Sequence, residues 1–71
     1  MKVIKNESNY IELEDSRCIY LVSYTTCVCK LHKDTKVLYQ TNKYYSKTTS
    51  KHISNFKNQH GYNDIKLVDK I

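Results

Sequence analysis

The chain has 71 residues, a length typical of one small domain with a limited core. Its formal net charge is +5, and it contains no proline, one glycine and three cysteines. No apolar run approaches the about 20 residues of a membrane-spanning helix, and the first residues lack the apolar core of a signal peptide. We therefore expect a single domain over residues 1–71, located in the cytoplasm, with no membrane partner.

The first part of the chain predicts β-strands. Residues 2–5 and 10–13 are predicted to form a hairpin around the Asn- and Ser-rich turn at 6–9. Residues 18–31 carry the strongest strand pattern. Fourteen extended residues would span about 46 Å at roughly 3.3 Å each, which is too long for so small a domain. We therefore expect the chain to bend or bulge near residues 23–26.

The clearest helix is predicted at about residues 48–60. Ser46 and Thr48 are the best N-cap candidates, and Gly61 stands where a left-handed residue commonly ends a helix. At about 100° per residue, one narrow face is suited to docking, and the opposite face carries lysine, serine and asparagine. The docking face consists of Thr49, Ile53, Phe56 and His60.

The remaining segments complete the predicted fold. Residues 32–36 read as a hairpin loop, 37–41 as its returning strand and 65–68 as a last short strand. This order predicts an α+β domain, with a small antiparallel β-sheet and one helix packed on one face. The predicted core consists of Ile19, Leu21, Val22, Val28, Val37, Ile53, Phe56 and Leu67.

The cysteines raise the question of a metal site. Cys27, Cys29 and His32, with Cys18 earlier in the chain, could supply four ligands for a tetrahedral zinc ion. On a strand, however, Cys-x-Cys points both thiols to one face without the turn of a zinc knuckle, and cysteine is often a buried core residue. We expect reduced core thiols, no bound metal and no cofactor.

The sequence offers no catalytic residues that we would assign. The single glycine excludes a Gly-rich phosphate loop, and no nucleophile motif is present. Paired carboxylates occur only at Glu14 and Asp15, in a predicted exposed turn. His52 and His60 are eight residues apart, so they do not form a helical metal pair. We therefore expect a protein that is not an enzyme.

Lysines and tyrosines concentrate in the second half of the chain. From residue 30 to residue 60 there are seven lysines and one aspartate. Two functions follow: lysines can steer binding to an acidic protein surface, or they can neutralise phosphates while tyrosines stack on unpaired bases. The predicted interaction face consists of Lys43, Tyr44, Tyr45, Lys47 and Lys51.

Two motifs carry a resemblance to a known group of proteins. Ser23-Tyr24-Thr25-Thr26 and the helix start from Tyr45 to Phe56 resemble small proteins of unknown function encoded by tailed phages of low-GC Gram-positive bacteria. The resemblance covers about residues 18–60. It implies a phage accessory protein in the host cell cytoplasm, which binds or inhibits a host or bacterial-defence protein complex, including one that contains nucleic acid.

The alternative is a small basic nucleic-acid-binding accessory protein. The sequence leaves open the identity of the target and direct contact with nucleic acid. It also leaves open a homodimer formed through an edge strand.

Overall fold

Six strands and one helix make up the fold in a computed structural model that describes residues 1–71. In chain order the elements are β1 (Lys2–Asn6), β2 (Tyr10–Glu14), β3 (Cys18–Ser23), β4 (Thr26–His32), β5 (Val37–Thr41), α1 (Lys47–His60) and β6 (Asp64–Val68). The strands form one six-stranded sheet in the order β1-β2-β3-β4-β5-β6. The result is a small domain of one sheet and one helix.

The sheet is mixed, so the predicted antiparallel sheet is only partly right. Strands β1 to β5 form an antiparallel meander; the sequence predicts the β1–β2 and β4–β5 hairpins but not the hairpin between β3 and β4. Strand β6 runs parallel to β5, with Val37 opposite Asp64 and Thr41 opposite Val68. The reason is that α1 returns the chain to the start of β5, so the next strand enters in the same direction.

The predicted long strand at residues 18–31 is two strands joined by a tight turn. The chain reverses at residues 24 and 25, where Tyr24 has a left-handed φ of 56° and its backbone N–H donates to the carbonyl of Asn9 at 2.8 Å. A bulge follows in β4, because Leu21 pairs with Cys29 while Val22 pairs with Cys27. Val28 is the extra residue of this bulge.

The helix begins one residue before its predicted start. Ser46 is the N-cap, and its hydroxyl accepts a hydrogen bond from the backbone N–H of Thr49 at 3.1 Å. At the other end Gly61 has a φ of 72°, and its N–H donates to the carbonyl of Lys57. The predicted docking face is buried at Thr49, Ile53 and Phe56, and His52 is buried with them; His60 is half-buried. This helix is neither long nor apolar enough to cross a membrane.

The core lies between α1 and one face of the sheet. It consists of Leu21, Val28, Cys29, Leu31, Leu38, Ile53 and Phe56. Of the other residues predicted for the core, Ile19 is half-buried against this cluster, and Val22 and Val37 are half-buried. Leu67 is 64% exposed on β6, a strand at the edge of the sheet. A single helix cannot cover both faces and both edges of six strands, so these positions are not fully buried.

Candidate interaction surfaces

The predicted interaction face is an exposed segment that links β5 to α1 and continues along the first turns of the helix. We call Lys43, Tyr44, Tyr45, Lys47 and Lys51 the basic segment. All five residues are exposed, and the tyrosines are 71% and 43% exposed, respectively. Large aromatic side chains at this exposure are available as contacts for a partner.

The lysines of the basic segment form no ion pair. Lys33 pairs with Glu14, and His60 Nε2 contacts Glu12, both at 2.7 Å, and neither contact involves the segment. The first turn of α1 carries no acidic residue, so the positive end of the helix dipole adds to the field of the lysines. Lys43 Nζ lies 5.8 Å from the centre of the Tyr45 ring.

Each tyrosine of the basic segment borders a hollow that also contains an exposed apolar side chain. Tyr45 and Tyr24 line a hollow of about 330 Å³, and Tyr24 is 57% exposed. Tyr44 and Leu67 line another of about 220 Å³. Tyr24 and Leu67 were not predicted as surface contacts, because Tyr24 was assigned to a bend within the strand at 18–31 and Leu67 to the core. Only the hairpin turn and the edge position of β6 expose them.

A second surface is the face of the sheet opposite α1, which we call the open face. Tyr20 lies between Ile19 and Leu21, which pack in or against the core, and side chains alternate along a strand. Tyr20 therefore points to the open face. Strand pairing places a row of six residues in register across the whole sheet. The row consists of Val3, Leu13, Tyr20, Lys30, Tyr39 and Lys66.

The row alternates tyrosine and lysine over four neighbouring strands. Lys30 Nζ lies 5.9 Å from the centre of the Tyr20 ring, within the range of a cation–π contact. The ring of His32 meets that of Tyr39 edge to face, with the ring centres 5.3 Å apart. Tyr39 also lines a hollow of about 330 Å³ together with Lys30, His32 and the C-terminal residues Lys70 and Ile71.

Asp15 accepts three hydrogen bonds, one of them from Tyr20 of this row. Its carboxylate accepts from the backbone N–H groups of Arg17 and Cys18 at 2.8 and 2.7 Å, and from the hydroxyl of Tyr20 at 2.8 Å. These bonds, with the two backbone donors first, lower the pKa of Asp15 to about 2. The same carboxylate raises the pKa of the Tyr20 hydroxyl. The charged carboxylate of Asp15 is thus held by hydrogen bonds at the turn.

The cysteines do not lie as predicted, because the bulge at Val28 changes the alternation of β4. Cys29 pairs with core residue Leu21, whereas Cys27 pairs with Val22 on the open face, so the two thiols do not share a face. Burial raises the pKa of the Cys29 thiol to about 12 and also raises that of Cys27. Cys18 Sγ lies 3.6 Å from Nδ1 of His32. No group of three or more His, Cys, Asp or Glu side chains has the arrangement of a metal site.

Both helical histidines contact buried polar side chains. His52 Nδ1 lies 2.8 Å from Ser23 Oγ, which is also 3.0 Å from Thr49 Oγ1. Burial, and secondarily Lys51, lowers the pKa of His52. Ser23 and His52 are a hydroxyl and an imidazole in contact, but no carboxylate orients the imidazole as in a catalytic triad. We interpret the cluster as an anchor between β3 and α1.

A second polar contact ties the helix C-terminus to β2. His60 Nε2 lies 2.7 Å from Oε1 of Glu12, whose side chain is only 2% exposed. Glu12 is not among the residues that the sequence singles out. Its burial depends on the position of α1 above the sheet.

These features define a class: a small α+β domain whose mixed sheet is covered by a helix on one face and carries aligned lysines and tyrosines on the other. The chain belongs to DUF8033, a family of unknown function whose profile matches residues 2–70. No curated protein and no solved structure is significantly similar to the chain. This match supports the expectation that the chain belongs to a group of small proteins without an assigned activity.

Proposed function

We propose that this protein is a non-enzymatic binder of another protein, and that the basic segment docks on an acidic surface of its partner. The observation that carries the proposal is the exposure of Tyr44 and Tyr45 between lysines that have no acidic partner. Protein interfaces are enriched in tyrosine and commonly depend on a few large aromatic anchors.

The two hollows make the surface around the basic segment concave in two places. One exposed apolar point at one side of the segment consists of Tyr44 and Leu67. Another at the other side consists of Tyr45 and Tyr24. A partner side chain can enter each hollow, while the tyrosine ring is buried against the partner. The apolar points supply affinity, because they lose water on binding.

The lysines contribute mainly to the rate of encounter. Lys43, Lys47 and Lys51 form no ion pair with a carboxylate, so they create a positive field at this surface. Such a field accelerates association with an acidic surface and weakens with salt. We expect an acidic partner surface and a salt-dependent association rate.

The finer proposal concerns the biological setting. The resemblance of the helix start and the Ser-Tyr-x-Thr segment to phage proteins supports a role as a phage accessory protein in the cytoplasm of the host cell. Its partner is then a host complex or a bacterial-defence complex, which the protein inhibits by occupying a surface. Inhibition by occupancy needs no catalytic group.

Charge reversal tests the proposal. The variant K43E/K47E/K51E is expected to fold with unchanged helix content and to lose the partner that the wild-type protein captures from host lysate. Capture is quantified by mass spectrometry, and the association rate of the identified partner is then measured as a function of salt concentration.

The matched control is K2E/K36E/K57E, which makes the same change of net charge away from the basic segment. This control is expected to retain capture. The proposal is wrong if both triple variants lose the partner equally, or if K43E/K47E/K51E binds it with wild-type affinity. In the second case the functional surface lies elsewhere.

A further inference from the structure

We propose that the open face of the sheet is a binding site for single-stranded nucleic acid. Tyr20 and Tyr39 are the base-stacking residues, and Lys30, Lys66 and Lys70 contact phosphates. This site differs from the basic segment and does not depend on the proposed protein partner. For the alternative function of nucleic-acid binding, it specifies the surface, which is the open face, and the form of the ligand, which is single-stranded.

The geometry of the row carries the inference. Tyr20 and Tyr39 lie on β3 and β5, so two strand spacings, about 10 Å, separate them, with Lys30 between. Both tyrosines are half-buried on a face that no element of the chain covers completely. Sheets of RNA-binding modules use aromatic side chains on neighbouring strands to stack two or three unpaired bases.

The charges of this face suit a polyanion. Lys30 and Lys66 belong to the row, and Lys70 lines the hollow beside Tyr39. The carboxylate that hydrogen-bonds to a side chain of the row is that of Asp15, which accepts from two backbone donors as well as from the hydroxyl of Tyr20. A negative backbone can therefore approach the lysines while bases lie on the rings.

A second copy of the chain fits this face less well. In a two-fold symmetric contact the same patch faces itself, so the lysines of one copy would meet those of the other. Burial of these ammonium groups without carboxylate partners is unfavourable. A single strand instead supplies both the negative charge and flat apolar groups.

Fluorescence anisotropy with a labelled 12-nucleotide oligo(dT) or oligo(U) tests the site, with a duplex of equal length as competitor. The wild-type protein is expected to prefer the single strands. Y39L is expected to weaken their binding by about 5- to 100-fold, which corresponds to the loss of one base stack. Y39F, which keeps the ring, is expected to bind within about two-fold of wild type. K66Q is expected to lower the slope of log affinity against log salt by about 0.7.

Two controls separate this site from general basicity. Y62L alters an exposed tyrosine after the helix, and K57Q removes a lysine from α1; both are expected to leave single-strand affinity unchanged. Thermal melting verifies that each variant is folded.

Three results would overturn the proposal. One is no binding at about 100 µM protein in low salt, the weak limit of non-specific affinity. Another is equal affinity for duplex and single strands together with an unchanged Y39L variant, which indicates charge alone. The third is a dimer in sedimentation that Y39L dissociates, which assigns the face to a second copy.

Discussion

Asp15 shows how one short side chain fixes the turn between β2 and β3. Its carboxylate accepts hydrogen bonds from the N–H groups of Arg17 and Cys18 in place of backbone carbonyls, as Asp commonly does in turns. It also orients Tyr20 across the open face. The same residue therefore connects local turn chemistry to the candidate nucleic-acid site.

The lowered pKa of Asp15 predicts a pH-dependent contribution to stability. The folded-state pKa is about 2, below the ordinary value of 3.8, so the folded protein favours the ionised form. The stabilisation is complete above pH of about 4 and is lost as pH falls towards about 2. D15A is therefore expected to melt at a lower temperature than wild type at neutral pH, with a difference that shrinks between about pH 4 and pH 2.

Thermal melting of both proteins across this pH range measures the effect. D34A is a suitable control, because Asp34 lies in an exposed turn and accepts a hydrogen bond only from the adjacent Thr35 N–H. A melting difference between D15A and wild type that does not change with pH would show that the ionised carboxylate is not the stabilising group.

At the scale of elements, α1 is held on the sheet by a few side chains at helical spacing. Phe56 is 1% exposed and Ile53 is 8% exposed, and both belong to the core cluster with Leu21 and Leu38. The polar contacts of His52 with Ser23 and of His60 with Glu12 fix the middle and end of the helix. The apolar side chains supply attachment, and the polar pairs specify orientation.

Phe56 is expected to be the main apolar anchor of the helix. F56A should lower the free energy of unfolding by about 3–5 kcal/mol, because it removes a fully buried ring and leaves a cavity. That is a large fraction of the about 5–15 kcal/mol typical of small domains. Urea unfolding followed by circular dichroism measures the change, with N55A on the exposed side of α1 as control. Equal stability of F56A and N55A would contradict this assignment of the helix face.

At the scale of the whole molecule, one helix over six strands produces two unlike faces. The covered face holds the core, whereas the open face holds half-buried rings and lysines in register. The three thiols differ in exposure: Cys29 is 0% exposed beneath α1, Cys18 is 3% exposed opposite His32 on the open face, and Cys27 is half-buried.

We therefore expect the three thiols to react in two phases with a disulfide reagent such as DTNB. Cys27 should react first in the native protein, although slowly, because burial raises its pKa. Cys18 and Cys29 should react only as the domain opens, and full denaturant should expose all three thiols. C27S is expected to remove the first phase. Reaction of Cys29 at the rate of Cys27 in native buffer would contradict the burial beneath α1.

Local signals in the sequence determined most of the helix and the strands. Ser46 as an N-cap, Gly61 after the last turn and the spacing of Ile53 and Phe56 act within a few residues, so they predict one helix and its buried face. The basic segment could also be identified, because lysines and tyrosines that are adjacent in sequence stay close together in any extended segment that links two elements. These features needed no knowledge of distant contacts.

Only the tertiary structure decided the register and the faces of the sheet. The bulge at Val28 separates Cys27 from Cys29, and the pairing of β6 with β5 brings Lys66 beside Tyr39. Both depend on partners far apart in the chain, and a shift of one residue sends every side chain of a strand to the opposite face. The aligned row of tyrosines and lysines therefore could not be read from spacing, because it exists only across strands.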